Sequence, residues 1–229
     1  QLSSRLIVGI LPMAFEGRTS LASRALVDHF FTALKSEERF NLIQEAQVEE
    51  ATSSRGFTGK DIREYNSRAR QLGRDIHAEG VFTGKVHEES NSIEVAVRLI
   101  DTDTGNTLHG ETDDPFNDFE ERSEDEALVD VEVVARRLAK KIHRDFPLAD
   151  GLVKERRGNE ISVDIGEEDH VRKALKLILF RDVHGKRGTG CDTRALGEAR
   201  IEDIEKDSST ARITKQEEPA RIRDRVITK

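Results

Sequence analysis

The sequence predicts an α+β protein: a mixed-sheet α/β sandwich domain followed by a small all-β barrel-like domain. Three observations carry this reading. Over the first 148 residues, apolar positions alternate between a spacing of two and a spacing of three and four. After Asp150 only short strand-like runs remain, separated by Gly-containing turns. The charge also shifts: residues 1–148 carry 19 basic and 28 acidic side chains, net −9, whereas residues 149–229 carry 18 and 17, net +1. We therefore expect domains at 1–148 and 149–229, the second ending in a short tail.

In the first domain, residues 5–15 form a continuous apolar run, as expected for a buried strand covered on both faces. Residues 20–35 have Ala22, Ala25, Leu26, Phe30, Ala33 and Leu34 at helical spacing. Phe40–Ile43 is a short strand, and 45–54 a helix broken by Arg55-Gly56-Phe57-Thr58-Gly59. Residues 60–72 predict a helix with Gly73 as its carboxyl cap. Strands follow at 78–87 and 92–100, the second alternating Ile93, Val95, Val97 and Leu99 inward. Asp103–Asn106 is a turn into a return strand from Thr107. After a loop at Pro115–Phe119, Ser123 and Glu126 predict a capping box. The helix it opens carries Leu128, Val131, Ala135, Leu138 and Ile142 on one stripe and ends before Pro147.

In the second domain the strand candidates are 151–157, 160–165, 174–181, 197–205 and 210–215. Residues 220–229 fit either an added strand or a free tail.

The chain has 229 residues and a net charge of −8, with one Cys, one Met, one Tyr and no Trp. No run approaches the roughly 18 apolar residues of a membrane-spanning helix, and a single Cys excludes an intrachain disulfide. The absence of Met before Gln1 fits either a removed targeting peptide or a trimmed start. We expect the former, and hence export.

The motifs that invite chemistry fail on spacing. In Asp101-Thr102-Asp103-Thr104-Gly105 the Gly falls fifth and Thr112 twelfth, whereas a calcium loop needs Gly sixth and Glu twelfth; a hairpin turn is the expectation. Gly185–Gly190 has its Lys in the wrong place for a phosphate loop and is expected to be a hairpin tip. His87-Glu88-Glu89-Ser90-Asn91 lacks the second His of a zinc helix. Cys191 has no local base to activate it. Arg136, Arg137, Lys140, Lys141 and Arg144 occupy the polar face of a helix with an acidic start, which suits the helix dipole and requires no nucleic acid. The residues point to no catalytic group, no cofactor and no metal.

Two patterns resemble known families. The strand ending Leu11-Pro12, Phe40–Ile43, the helix end Ala69–Gly73, then Ala78–Val86, then Val97–Leu108 with its Asp101–Gly105 turn, resemble the TolB amino-terminal-like and curli-secretion-channel-like domains of bacterial envelope proteins. Gly151-Leu152-Val153, Gly158–Gly166, Val171, Leu175–Leu177, Thr189-Gly190 and Leu196–Ile201 resemble the carboxyl-terminal β domain of flagellar assembly protein T. Two departures stand out: Ala174 where that domain usually has Gly, and an insertion from Cys191 to Ala195.

The resemblance implies a non-enzymatic structural protein of the periplasm or outer membrane, or alternatively an extracellular one. Its leading role would be in the flagellar basal-body ring. Expected partners are further copies of itself and other envelope or flagellar proteins, with no nucleic acid. The alternatives are a subunit of another filament or secretion-associated ring, and a ligand-binding or hydrolytic envelope protein. The candidate interface is the set of basic tips of the second domain: Arg156, Arg157, Arg181, Lys186, Arg187, Arg221, Arg223 and Arg225.

Overall fold

Pro12 divides the apolar run at the start of the chain. In the computed structural model, which describes residues 5–17, 19–89, 93–113, 124–184 and 191–229, the expected single strand is two: β1 (Leu6–Ile10) and β2 (Ala14–Gly17). Both lie parallel to β4 (Gly80–Glu88), β1 beside its first residues and β2 beside its last. Leu11 N–H still donates to the Phe82 carbonyl at 2.8 Å, but proline has no N–H for the ladder, so pairing lapses at Pro12 and resumes at Ala14.

The sheet has the order β3-β1-β4-β5-β6, with β2 also on β4. Here β3 is Phe40–Leu42, β5 is Ile93–Asp101 and β6 is Thr107–Asp113. The β3-β1-β4 part is parallel and the β4-β5-β6 part antiparallel. Parallel neighbours need crossovers, supplied by α1 (Leu21–Ser36) between β1 and β3 and by α2 (Glu45–Arg55), α3 (Gly59–Glu64) and α4 (Asn66–Asp75) between β3 and β4. Val81 and Phe82, successive on β4, bury opposite faces. Phe82 meets Phe30 of α1 and Phe40 edge-on, with ring centroids 6.0 and 5.6 Å apart. Val81 packs with Leu11, Val48, Ile62, Ala69, Leu72 and Ile100. Burial on both faces explains why β4 has no apolar alternation.

The expected helix 60–72 breaks at Tyr65, whose backbone is extended. The Arg98 guanidinium donates to the Arg63 carbonyl oxygen, satisfying a group that the next helical turn would otherwise have claimed. Nor does Gly73 cap a helix end. It lies inside α4, where a Cβ would run into Thr102 Cγ2, so glycine here permits close packing of α4 against the β5–β6 turn. Asp101 shapes that turn as expected: its Oδ1 accepts from Thr104 N–H at 2.8 Å and Thr104 Oγ1 at 3.0 Å, and the Thr102 hydroxyl donates to the Ala78 carbonyl at 2.6 Å.

The long helix α5 spans Glu124–Asp145, with Val131, Ala135, Leu138 and Ile142 fully buried. The expected loop Pro115–Phe119, the expected cap Ser123 and the Leu128 side chain lie outside the described residues. The chain divides into two compact units, Arg5–His143 and Arg144–Lys229.

The second unit is a closed antiparallel barrel ordered β10-β11-β8-β7-β12-β9. Its strands are β7 (Asp150–Arg157), β8 (Glu160–Val163), β9 (Lys176–His184), β10 (Cys191–Ile204), β11 (Ser209–Gln216) and β12 (Arg225–Thr228). Val153, Ile161, Val163, Leu177, Leu179, Leu196, Ile201 and Val226 are buried in it, as in other small barrels whose interiors are filled by side chains. Of the two readings left open for 220–229, the added strand holds and the tail does not: β12 pairs with both β7 and β9 and closes the barrel. Two strand bounds are corrected. The Cys191–Ala195 insertion extends β10 along β9. The central strand starts at Lys176, not at Ala174, which sits in a turn with φ +69°. β10 bends at Gly197, where φ is +155° and a Cβ would meet the Lys215 carbonyl oxygen. A register shift at this point lets β10 serve both β9 and β11. Gly185–Gly190 lie outside the described residues, between strands paired antiparallel from His184 and Cys191.

Candidate interaction surface

The expected basic tips do not share one fate. Arg181 on β9 grips Asp224, just ahead of β12, through Nε–Oδ1 at 2.7 Å and Nη2–Oδ2 at 2.6 Å. It also donates to the Pro219 carbonyl at 3.1 Å and lies 3.8 Å from Glu218. The hydrogen bond to Asp224 raises Arg181 above the ordinary arginine pKa. Arg225 stacks on the Phe180 ring at 4.6 Å, pairs with Asp150 and lies 3.5 Å from Asp182; the Asp150 bond likewise raises it. Arg156 donates to the carbonyls of Gly158 and Ala220, both at 2.9 Å, and to Gln216 at 3.3 Å. Arg156, Arg181 and Arg225 therefore tie residues 216–225 to the barrel wall. They are structural staples, each bonded to partners on its own barrel.

Arg157 pairs at 2.9 Å with Glu155 and is otherwise exposed. Lys186 and Arg187 lie outside the described residues. Arg221 and Arg223 remain exposed, and between them Ile222 is 64% exposed. These three residues and Asp224 form a tight turn. Asp224 N–H donates to the Arg221 carbonyl at 3.1 Å, and Arg221 N–H donates to Asp224 Oδ2 at 2.6 Å. Arg223 N–H donates to Val153 O, and Val153 N–H to Asp224 O, each at 2.8 Å. Arg223 has φ +71°, a conformation that glycine or asparagine adopts more easily at the third position of a turn. Sequence reasoning found the basic cluster. It missed the exposed isoleucine at its centre, because only the turn geometry sets Ile222 apart from a strand residue.

A second feature, in the Arg5–His143 unit, escaped sequence reasoning altogether. Beyond the carboxyl end of β1 an apolar groove of about 370 Å3 opens between α1 and α2. Leu11, Met13, Phe15, Val27, Phe31, Ile43 and Val48 line it, and the exposed carboxylates Asp28, Glu45 and Glu49 stand around it. In sheets with crossovers on both sides, such crevices form where the strand order reverses, here at β1 between β3 and β4. The lining comes from three separate stretches of chain, 10–15, 27–32 and 43–49, so no local motif announces it.

On α5, Arg136, Arg137, Lys140 and Arg144 are exposed and Lys141 is half-buried, with Arg136 paired with Glu132 and His143 lying 3.2 Å from Glu37. Among the described residues no group of His, Cys, Asp or Glu could hold a metal ion, and no helix is long and apolar enough to cross a membrane.

No protein-family model matches the chain, and no curated protein matches it. Solved structures do resemble it in part. Lipoprotein GNA1162 from Neisseria meningitidis is 17% identical, with 59% of this chain and 99% of that one covered and a TM-score of 0.45. The LpoB C-terminal domain from Salmonella enterica is 16% identical, covering 48% of this chain and 81% of that one at a TM-score of 0.39. TolB from Acinetobacter baumannii is 10% identical, covering 90% of this chain and 57% of that one at a TM-score of 0.34.

Proposed function

We propose that this chain is a non-enzymatic structural protein of the bacterial cell envelope, located in the periplasm or at the outer membrane, that works by assembling with further copies of itself. The observation that carries the proposal is the serial order of the two folded units. A mixed-sheet α/β unit is followed by a closed six-stranded barrel, the pair of folds that the two sequence resemblances imply in that order. Fold does not by itself fix function, so the specific assembly rests on the barrel's sequence pattern, which favours the flagellar basal-body ring. The charge difference, −9 for residues 1–148 against +1 for 149–229, suits head-to-tail contacts that electrostatics orients and accelerates.

The test is fractionation of native cells followed by electron microscopy of the purified particle. Envelope-associated rings are expected. A monomeric protein confined to the cytosol would overturn the proposal, and helical filaments would redirect it to another polymer. One observation favours a second reading, a ligand-binding envelope protein: the groove volume of about 370 Å3 lies within the range of roughly 300–1,000 Å3 usual for small-molecule sites. A bound small molecule in native mass spectra would support it.

A further inference from the structure

We propose that the Arg221–Arg223 turn of one copy docks into the α1–α2 groove of the next, with Ile222 entering the apolar floor and the two arginines meeting Asp28, Glu45 and Glu49. The inference rests on the self-assembly reading above and gives that assembly its contact.

The two surfaces are complementary in chemistry. The turn presents one exposed aliphatic side chain between two exposed guanidinium groups. The groove presents an apolar floor that includes the 40% exposed Phe15, bordered by three exposed carboxylates that have no ion-pair partner among the described residues. Arginine suits such a border because its planar fork can bond a carboxylate at two points.

The turn is also preorganised. Four hydrogen bonds of 2.6–3.1 Å fix residues 221–224 against Val153 and Asp224, and Arg181 in turn fixes Asp224. A rigid knuckle loses little conformational entropy on docking. Arg223 holds a positive φ, a strained conformation of the kind that persists where the surrounding structure imposes it and that clusters at functional sites. Because turn and groove are different surfaces, the contact is heterologous, so each copy can join one neighbour on either side and generate a ring or filament.

The experiment is sedimentation velocity of the full chain over a concentration and salt series, with circular dichroism and urea midpoints as folding controls. Three exposed-site variants are compared: Ile222→Asp, the pair Arg221→Glu/Arg223→Glu, and the pair Glu45→Lys/Glu49→Lys. Each is expected to weaken association at least tenfold with an unchanged urea midpoint, and added salt is expected to weaken the unmodified protein. Mixing Ile222→Asp, which keeps its groove, with Glu45→Lys/Glu49→Lys, which keeps its turn, is expected to give a 1:1 pair that grows no further. Association that ignores all three variants would overturn the turn-in-groove contact and leave the assembly reading standing. A monomer at every concentration would remove both. A small molecule that copurifies in the groove and is lost on Val27→Asp would overturn the contact in favour of the ligand-binding reading.

Discussion

Arg181 and Asp224, 43 residues apart in sequence, form a two-point guanidinium–carboxylate bond that locks the last strand onto the barrel. Asp224 is nearly buried, its side chain 5% exposed, and Arg181 is 23% exposed. The same carboxylate holds the Arg221 N–H, so one ion pair both closes the barrel and shapes the exposed turn.

Removing one partner leaves a buried charge. Arg181→Met is therefore expected to destabilise the protein by about 3 kcal/mol, the lower end for a broken buried pair, because Arg181 retains some solvent. Urea unfolding checks this, and an unchanged midpoint would refute the staple. Arg157→Met, whose side chain is 77% exposed, is expected to change stability by less than about 0.5 kcal/mol.

Ala174 has φ +69° in the turn before β9. A left-handed L-residue costs roughly 1–2 kcal/mol, and the greater backbone freedom of unfolded glycine offsets about half of the relief. Ala174→Gly is thus expected to stabilise the protein by about 0.5–1 kcal/mol. A lower thermal midpoint would contradict the assigned backbone conformation.

Gly197 makes the opposite case. With φ +155° and the Lys215 carbonyl in the path of a Cβ, Gly197→Ala is expected to cost about 1–3 kcal/mol and to disturb the bend of β10. The second effect is measurable as faster amide exchange along the β10–β11 ladder. Equal exchange rates in the two proteins would show that the bend does not depend on glycine.

Leu138 is fully buried on the α5 stripe. Leu138→Ala is expected to cost about 2–5 kcal/mol through lost burial and the cavity left behind. A loss below about 0.5 kcal/mol in chemical denaturation would place this face of the helix in solvent.

Local patterns were enough to place most of the helices and strands and the buried faces of α5 and β5. The stripe Val131, Ala135, Leu138 and Ile142, the alternation of β5 and the Asp101–Gly105 turn are local patterns, because helix and strand periods and turn hydrogen bonds span only a few residues. How those elements connect depends on long-range pairing. Pro12 splits one apolar run into two strands only because a single neighbour, β4, extends past the break. The four residues of β12 are too short to show a period, and they became a strand because β7 and β9 leave a gap between them. The candidate interface was the least legible part. In sequence, Arg156, Arg181, Arg221, Arg223 and Arg225 look alike. Barrel closure brings Asp224 to Arg181 and Asp150 to Arg225 across 43 and 75 residues, giving those arginines partners on the barrel itself, and leaves Arg221 and Arg223 facing solvent. A charge's partner is fixed by strand register and closure, and these are long-range contacts on which no local pattern reports.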